Sequence, residues 1–429
     1  MNNRDKRNDA FKTIVSSLIS ILLGFIFGGI LLFIISLANG MSLASAWDGF
    51  RIVLAGVFNR GRIFAEDGSS ALAFGVNLKL VGDMLFRATP LIMTGLSVGL
   101  AYKTGLFNIG AAGQYLMGTM ASIIVALSIN TSVVPPIIVW ILAILAAAVA
   151  GALWGAIPGA FKAFLNVNEV ITSIMTNWIA ANLVTIVFEN SSFRNMEEYG
   201  KTGYIVKLKT NGVASPTLGF DKLFAGSSAN AGILVAIVIA VVIFIILNKT
   251  TLGYELKACG SNKFAAKYAG MNDKRNIILS MAIAGALSGI GAALYYLQGD
   301  VEFSWNTSMS LPAEGFNGIP VALLAMCHPL GIIFAGLFMS FISISGTQLS
   351  NLTAYNEYIA NIIVAVIVYF SAFSLFFKLL ISKKRKKDDE PTAAADSEND
   401  GTSQNDSEFE EDPPESVTRR EVDTEGEAV

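Results

Sequence analysis

Long apolar segments separated by short polar stretches dominate this chain of 429 residues. An α-helix needs roughly 20 mainly apolar residues to cross a hydrocarbon core about 30 Å thick. Ten segments have or approach this character: 14–37, 80–101, 106–128, 134–157, 169–188, 230–247, 277–297, 313–327, 330–349 and 358–381. The pattern predicts an all-α integral membrane protein with about ten transmembrane helices. The segment 313–327 is short and contains Pro320, so a re-entrant loop is the alternative there.

The two ends of the chain predict its orientation. Its start, "MNNRDKRNDAFK", is basic, and "KKRKK" at 383–387 follows the last apolar segment. Basic residues that flank membrane helices are enriched on the cytoplasmic side. We therefore expect residues 1–13 and the C-terminus in the cytoplasm, with a transmembrane domain over 14–381. The polar stretches 38–79 and 190–229 then lie outside.

Residues 382–429 have a different composition from the rest. After the basic run, the segment from Asp388 to the end contains 16 acidic residues and two basic ones. A segment with so much like charge and so few apolar side chains cannot bury enough surface to fold. We predict a disordered, basic and then acidic, cytoplasmic tail.

Composition also restricts the chemistry of the chain. The mean hydropathy is +0.57 and only 15% of the residues are charged. The chain therefore has too few polar side chains to cover the surface of a soluble enzyme. Cys259, Cys327 and His328 show none of the spacings of a metal site. No GxxxxGK[ST] nucleotide-binding motif occurs, so any ATP must be bound by another polypeptide. We expect a transporter subunit rather than an enzyme, with no metal, no cofactor of its own and no nucleic-acid partner.

Charged residues within the apolar segments are scarce. Asp83 and Arg87 lie one helical turn apart, where they could pair with each other. Ion-coupled carriers usually bury carboxylates or histidines that bind the coupling ion. The scarcity of such groups argues against a carrier of that class.

The polar side chains inside the segments are mostly neutral amides and hydroxyls. Four of them fall at positions i, i+1, i+4 and i+5 and share one helical face. Such a face can bind a neutral polar solute or hold neighbouring helices together. The full set is Asn108, Gln114, Thr172, Ser173, Thr176, Asn177 and Asn317.

Two segments rich in Gly or Pro interrupt the apolar pattern. They are "GLFNIGAAGQYLMG" (105–118) and "PAEGFNGIPVALLAMCHPLG" (312–331). Broken helices are tolerated at membrane depth only where protein or a cavity satisfies the backbone. In transporters built from repeats, a pair of such breaks indicates the translocation site.

A short basic stretch, "KACGSNKFAAKYAGMNDKRN" (257–276), lies between two apolar segments. Ser261 is a suitable N-cap and Gly270 a suitable end for a helix of about two turns. Phe264, Ala265 and Tyr268 would share one side of it. A helix this short needs a surface to dock against. Either a partner protein or an anionic lipid surface would serve.

Four stretches resemble the permease subunits of bacterial ABC importers for sugars, branched-chain amino acids and nucleosides, and most of all the nucleoside branch. They are "LFNIGAAGQYLMG", "FKAFLNVNEVITSIMTNWIA" (161–180), "YELKACGSNKFAAKYAGMN" (254–272) and "GFNGIPVALLAMCHPLG" (315–331), which together cover roughly residues 80–380. The resemblance implies a multi-pass protein of the bacterial plasma membrane. It also implies three protein partners: an ATP-binding cassette ATPase, a second related permease and an extracellular substrate-binding lipoprotein.

The resemblance also assigns roles to particular residues. The short basic stretch is similar to the coupling helix that docks on the ATPase, which implicates Gly260, Asn262, Phe264, Ala265, Ala266, Tyr268 and Gly270. The substrate path is expected between the two permeases, near Phe107, Asn108, Gln114, Thr176, Asn177, Trp178 and Asn317. There, amides would bind ribose hydroxyls, and Phe107 or Trp178 would stack on a base. Simple sugars such as ribose, and then branched-chain amino acids, are the alternative substrates.

Overall fold

The structure is a computed structural model that describes residues 3–64, 70–305, 311–371, 373 and 376–380. The helices are α1 (Asn3–Ala38), α2 (Leu43–Ala55), α3 (Leu78–Lys103), α4 (Ala111–Ser128), α5 (Pro136–Leu165), α6 (Glu169–Glu189), α7 (Tyr204–Asn211), α8 (Phe220–Leu223), α9 (Gly232–Lys249), α10 (Thr251–Ser261), α11 (Lys263–Tyr268), α12 (Asp273–Tyr296), α13 (Ala313–Leu324), α14 (Pro329–Leu352) and α15 (Glu357–Ser371). A 3₁₀ turn (Gly56–Phe58) and an antiparallel hairpin of β1 (Asn59–Phe64) and β2 (Ser70–Phe74) separate α2 from α3. The tail predicted at 382–429 lies outside the described residues.

Eight helices in the described part of the chain are long and apolar enough to cross a membrane: α1, α3, α4, α5, α6, α9, α12 and α14. Each coincides with one of the ten predicted segments, and the prediction of a helical membrane protein is confirmed. The other two predicted segments, 313–327 and 358–381, contain the shorter helices α13 and α15. The count of ten crossings stays a prediction.

Glycine-mediated contacts hold α5 and α12 closely together. A Cβ added to Gly285 would lie 2.1 Å from the carbonyl oxygen of Gly151, and one added to Gly289 would lie 2.2 Å from that of Ala147. Without side chains at these positions the two backbones touch. In a bilayer such close packing drives helix association, because lipid tails are as apolar as the helices.

Helix α3 passes through the interior of the bundle. Every residue from Ala88 to Ala101 is buried, and α9, α12, α13 and α14 pack around it. Helix α5 instead buries a narrow stripe of small residues and exposes its large apolar side chains. The first arrangement is that of a helix surrounded by protein, and the second that of a helix facing lipid.

At one end of the bundle, α2 packs on α1 and α14, and Arg62 Nε of the hairpin donates to the Leu352 carbonyl on α14 (3.0 Å). The ring of Phe341 on α14 lies against Gly56, where an added Cβ would approach its Cζ atom to 2.2 Å. The hydroxyls of Ser36 and Tyr355 are hydrogen-bonded to each other. The described residues of the polar stretch 38–79 are therefore folded onto the bundle. We call this the hairpin end, and the opposite one, which carries α10 and α11, the α11 end.

Two loops at the hairpin end are held together by Glu302. Its carboxylate accepts the N–H groups of Tyr204 (3.2 Å) and Ile205 (3.1 Å) at the start of α7, and the hydroxyl of Thr202. Burial raises the pKa of Glu302 above its usual value, although these hydrogen bonds act in the opposite direction. Backbone bonds from Thr202 N to Phe303 O (3.0 Å) and from Trp305 N to Gly200 O (2.8 Å) complete the connection.

Candidate functional site

The chain leaves helical geometry between α3 and α4, inside the bundle. After Lys103 it turns at Gly105, whose φ is +74°, and α4 begins only at Ala111, five residues later than the sequence predicted. The N-cap residue of α4, Gly110, has no side chain to accept the first N–H groups of the helix. Helix starts leave such donors unsatisfied, so another element must bind them here.

Asn177 on α6 satisfies this break. Its Oδ1 accepts the Gly113 N–H (2.8 Å) in the first turn of α4, and its Nδ2 donates to the Ile109 carbonyl (3.0 Å) just before that helix. Asn177 lies eight residues into α6, which is about 12 Å along the helix axis. The side chain is 1% exposed. One amide therefore caps α4 from a neighbouring helix, near the middle of the bundle.

Asn108 and Gln114 form a second, reciprocal pair beside it. Asn108 Nδ2 donates to Gln114 Oε1 (2.8 Å), and Gln114 Nε2 donates back to Asn108 Oδ1 (3.0 Å). Asn108 Nδ2 also donates to the hydroxyl of Ser97 on α3 (2.9 Å). We call Asn108, Gln114 and Asn177 the amide junction. In this conformation its hydrogen bonds go to protein groups. Of the two roles that the sequence left open, these amides therefore hold neighbouring helices together.

The two Gly- and Pro-interrupted segments meet at this depth. A Cβ on Gly315 would lie 2.4 Å from the Cα of Ala112, and a Cβ on Gly318 would lie 2.6 Å from the carbonyl carbon of Thr94. The start of α13 therefore packs directly on the start of α4. Helices α4 and α13 thus begin inside the bundle next to each other, as discontinuous helices do in several transporter folds.

The side chains of the remaining residues predicted for the path take no part in the hydrogen bonds of the amide junction. The Thr176 hydroxyl donates to Ser173 O within α6 (3.0 Å), and Phe107 is partly buried. Trp178 is 49% exposed on α6, and Asn317 is exposed on α13. The structure thus separates a buried amide cluster from two exposed side chains.

Asp83 and Arg87 do not pair with each other, although their spacing permits it. Asp83 Oδ1 accepts the N–H of Ser228 (3.0 Å), and Arg87 Nη1 donates to the hydroxyl of Ser343 on α14 (3.4 Å). The two side chains leave α3 toward different neighbours, because Arg87 is on its exposed face. One-turn spacing permits an ion pair but does not require one.

A cleft lies between α4, α6, α12, α13 and the loop that follows α12. Its cavity volume is about 120 Å³, and it is partly open to the surroundings. Apolar side chains of α4 and α6 form one wall. The aromatic and polar residues that line the rest are Thr185, Tyr296, Phe303, Ser304, Trp305 and Glu314. We call this the aromatic cleft.

Sequence reasoning missed Glu314, a carboxylate within the predicted segment 313–327. It belongs to the first turn of α13, is partly buried, and forms no ion pair with any residue in the described ranges. The available signal was an acid directly after Pro312 in an interrupted apolar segment. The apolar segments therefore contain one more carboxylate than the sequence analysis weighed against an ion-coupled carrier.

Residues predicted to contact an ATPase occupy the α11 end. Phe264 and Tyr268 are 75% and 94% exposed, and Ala265 is exposed beside them. Ala266 is buried against the bundle instead. Helix α11 therefore packs on the bundle through Ala266 and exposes two aromatic side chains on its other side.

Ser261 is not the N-cap of α11, contrary to the sequence prediction. It ends α10, an additional helix, and Asn262 is the cap, since its Oδ1 accepts the Ala265 N–H at 3.0 Å. The predicted end is correct, because the chain turns at Gly270 with φ +80°. Asn262 therefore holds the first turn of α11 rather than presenting a free amide.

Gly260 connects these helices to the break in the bundle. An added Cβ would lie 2.3 Å from the Thr104 carbonyl carbon and 2.6 Å from the Gly105 nitrogen. The end of α10 thus rests, backbone on backbone, on the turn that leads to Asn108. No side chain lies between these backbones to absorb a displacement.

Residues 80–372 match the protein family described as "Branched-chain amino acid transport system / permease component". The chain is also similar to curated proteins over most of its length. Within the described residues, no three or more His, Cys, Asp or Glu side chains cluster as metal ligands would. No solved structure matches the chain significantly.

Three relatives illustrate the similarity. The nucleoside ABC transporter permease protein NupB of Lactococcus lactis is 34% identical over 85% of this chain and 92% of its own. The guanosine ABC transporter permease protein NupP of Bacillus subtilis is 34% identical over 83% of this chain and 92% of its own. A glucose ABC transporter permease protein of Haloferax volcanii is 31% identical over 69% and 77%.

Replacing Asn177 should destabilise the bundle. Asn177→Leu leaves the Gly113 N–H and the Ile109 carbonyl buried without their partner, at a cost of about 1–3 kcal/mol for each unsatisfied group. Thermal unfolding of the protein in detergent should therefore shift to lower temperature. Asn182→Leu on the same helix is the control, since Asn182 is exposed and bonds only its own helix. Equal stability of the two variants would contradict this role of Asn177.

Proposed function

The chain belongs to the family of branched-chain amino acid transport system permease components, and from that premise we propose that it is the membrane subunit of an ATP-driven nucleoside importer. The assignment of nucleosides as the substrate rests on the similarity, over most of the chain, to permeases for nucleosides and guanosine. In this proposal the chain forms the translocation path and binds no ATP itself.

A simple sugar is the second candidate substrate. The similarity to a glucose permease, 31% identity over 69% of this chain, favours it. Branched-chain amino acids, which the family description names, are the third. An ion-coupled carrier is the weakest alternative, because the family consists of permease components of multi-subunit systems.

We propose three protein partners and an orientation. An ATP-binding cassette ATPase would dock at the α11 end, and an extracellular substrate-binding lipoprotein at the hairpin end. The α11 end and both termini then face the cytoplasm of a bacterial cell, in agreement with the basic sequences near both termini. A second related permease would complete the membrane unit.

Exposed polar groups on α3 and α13 support the second permease. Arg87 lies nine residues into α3, about 13 Å from its start, and Asn317 lies on the exposed side of α13. Lipid cannot satisfy a charge or an amide at such depth. A partner surface, with a water-filled path between the subunits, would cover both. Trp178 on α6 is exposed as well and would border the same path.

The α10–α11 segment suggests how force would reach the path. Closure of the ATPase pair would move α11 through Phe264 and Tyr268. Because Gly260 touches the Thr104–Gly105 backbone, that motion would displace the turn that carries Asn108. The amide junction and the start of α4 would then shift together.

Competition of uptake tests the substrate. In cells that lack this chain and in cells where it is restored, uptake of labelled inosine is measured with excess unlabelled nucleosides or ribose. We expect restored uptake that nucleosides inhibit almost completely and ribose leaves nearly unchanged. Equal inhibition by ribose would exclude the nucleoside assignment, and uptake that persists without ATP would exclude an ATP-driven importer.

Replacing the exposed aromatics of α11 should release the ATPase. In Phe264→Asp/Tyr268→Asp, two apolar anchors become charges, and loss of such anchors typically costs about 2 kcal/mol or more each. ATPase recovered with the tagged permease should fall at least thirtyfold. Met196→Asp, at an 81% exposed site in the loop after α6, is the control and should retain it. Full recovery of the ATPase with the double variant would refute docking at α11.

A bulky residue at position 260 should uncouple the subunits without separating them. Gly260→Val forces α10 away from the Thr104–Gly105 turn, so uptake should fall at least tenfold while the ATPase still copurifies. Ala71→Val, at an exposed site on β2 at the hairpin end, introduces the same side chain away from α10 and α11 and should leave both unchanged. Normal uptake by the Gly260 variant would show that this contact transmits nothing.

A further inference from the structure

We propose that residues 43–58, which form α2 and the 3₁₀ turn, enter the membrane from the hairpin end and turn back near its middle. We call them the half-membrane segment. The partner of their exposed face is the hydrocarbon of the lipid leaflet at that end. The sequence placed this stretch in water, because charged residues are scattered along 38–79. The inference depends on no substrate and holds for either orientation of the chain.

Contacts with two long helices give the depth of the half-membrane segment. A Cβ added to Gly29 would lie 2.7 Å from the ring of Phe50, and Gly29 lies nine residues before the end of α1, about 13 Å along its axis. Gly56 lies against the ring of Phe341, eleven residues before the end of α14, about 16 Å along its axis. Half of a hydrocarbon core is about 15 Å. The 3₁₀ turn therefore lies near the middle of the membrane.

Charged side chains mark the level at which the segment enters the membrane. Asp48 pairs with Arg62 (3.8 Å) and with Arg51 (3.7 Å). Arg62 Nε also donates to the carbonyl of Leu352, the last residue of α14 (3.0 Å). Trp47, next to Asp48, is 53% exposed. Tryptophan is enriched at the membrane–water boundary, where its ring lies at headgroup level, so this level of α2 is the boundary.

Beyond this boundary the exposed side chains of the segment are apolar. Leu54 and Phe58 are 46% and 50% exposed. On α1, the exposed residues Ile30 and Ile34 are also large and apolar. Helix α2 packs its other face on α1 and α14; the buried residues of that face are Ala46, Gly49, Ile52 and Val53. A helix in water would keep polar residues on its free face, whereas protein on one side and lipid on the other explain two apolar faces.

The backbone of the turn is satisfied by protein groups. The Gly56 N–H donates to the Ile52 carbonyl and closes the end of α2. The Phe58 carbonyl accepts the N–H of Gly75 (2.8 Å). From Asn59 onward the chain pairs with β2. Non-helical backbone at membrane depth is tolerated only where protein or water satisfies it, and this turn meets that condition.

The return path along β1 gives the same depth independently. Arg62, at the boundary, lies four residues after Phe58, about 13 Å along an extended strand. Arg60 lies between them, and its Nε donates to the Val76 carbonyl (3.3 Å). A long arginine side chain this close to the boundary can extend along apolar surface to the headgroups. The charges of the hairpin are therefore compatible with an inserted turn.

Spin labels test what surrounds the exposed face. Leu54→Cys and Phe58→Cys are labelled in a chain whose own cysteines are replaced (Cys259→Ser, Cys327→Ala). The full chain, with the subunits that copurify with it, is placed in nanodiscs of phosphatidylcholine and phosphatidylglycerol. Electron paramagnetic resonance then measures how often each label collides with oxygen, which concentrates in lipid, and with a nickel chelate, which stays in water.

Two exposed positions serve as references. Val238→Cys on α9, at a 60% exposed site, represents lipid, and Met196→Cys, at an 81% exposed site after α6, represents water. We expect the ratio of oxygen to nickel collisions at positions 54 and 58 to be at least fivefold higher than at 196 and close to that at 238. Frequent nickel collisions at 54 and 58 would place them in water and overturn the proposal. Rare collisions with both reagents would also overturn it, since protein would then cover this face.

A second measurement keeps the natural cysteines. Lipid that carries a nitroxide near its headgroup quenches tryptophan fluorescence at the boundary. We expect this lipid to quench less fluorescence in Trp47→Phe than in the wild type, because the substitution removes a ring at headgroup level. Equal quenching in both proteins would contradict the position of Trp47, and with it the insertion of α2.

Discussion

A broken helix inside a membrane protein must have its backbone groups satisfied by other parts of the protein, and much of this bundle follows from that requirement. Between α3 and α4 the chain leaves helical geometry where lipid offers no hydrogen bonds. Asn177 supplies both a donor and an acceptor to the break, and Asn108 and Gln114 bind each other beside it. Because these amides come from α6, from the break and from α4, the elements are fixed relative to one another. The start of α13 can then pack on the start of α4 through Gly315.

Contacts between bare backbones extend this framework to both ends of the molecule. Gly260 joins α10 to the Thr104–Gly105 turn, and Gly118 joins α4 to Gly289 of α12. Such contacts contain no side chain that could change rotamer, so a displacement at one side is passed on rather than absorbed. Along this route the exposed aromatic residues of α11 lie at one end. The aromatic cleft, lined by residues of α4, α12 and α13, lies toward the other. A stiff connection of this kind suits the force transmission that we propose for α11.

The surface of the bundle divides into regions of different chemistry. Helices α5 and α9 expose large apolar residues along their length, as suits lipid. Arg87 and Asn317 are exposed on α3 and α13, where lipid is a poor environment for a charge or an amide. At the hairpin end, Glu302 fastens two loops together and thereby positions the aromatic residues of the cleft. Each region has the polarity of the medium or partner proposed for it.

The sequence by itself determined the class of the protein, the eight long helices, the two interrupted segments and the short helix with exposed aromatics. These features depend on local composition and periodicity, which the order of residues contains directly. Only the tertiary structure decided what the polar residues do. The amides of Asn108, Gln114 and Asn177 could have faced a solute or a neighbouring helix, and their hydrogen bonds in the folded chain, those of Asn177 to partners more than sixty residues away, settled the matter. The same is true of Gly260, of the separate partners of Asp83 and Arg87, and of the cleft around Glu314. A cleft exists only where elements far apart along the chain meet, and no local pattern encodes that meeting.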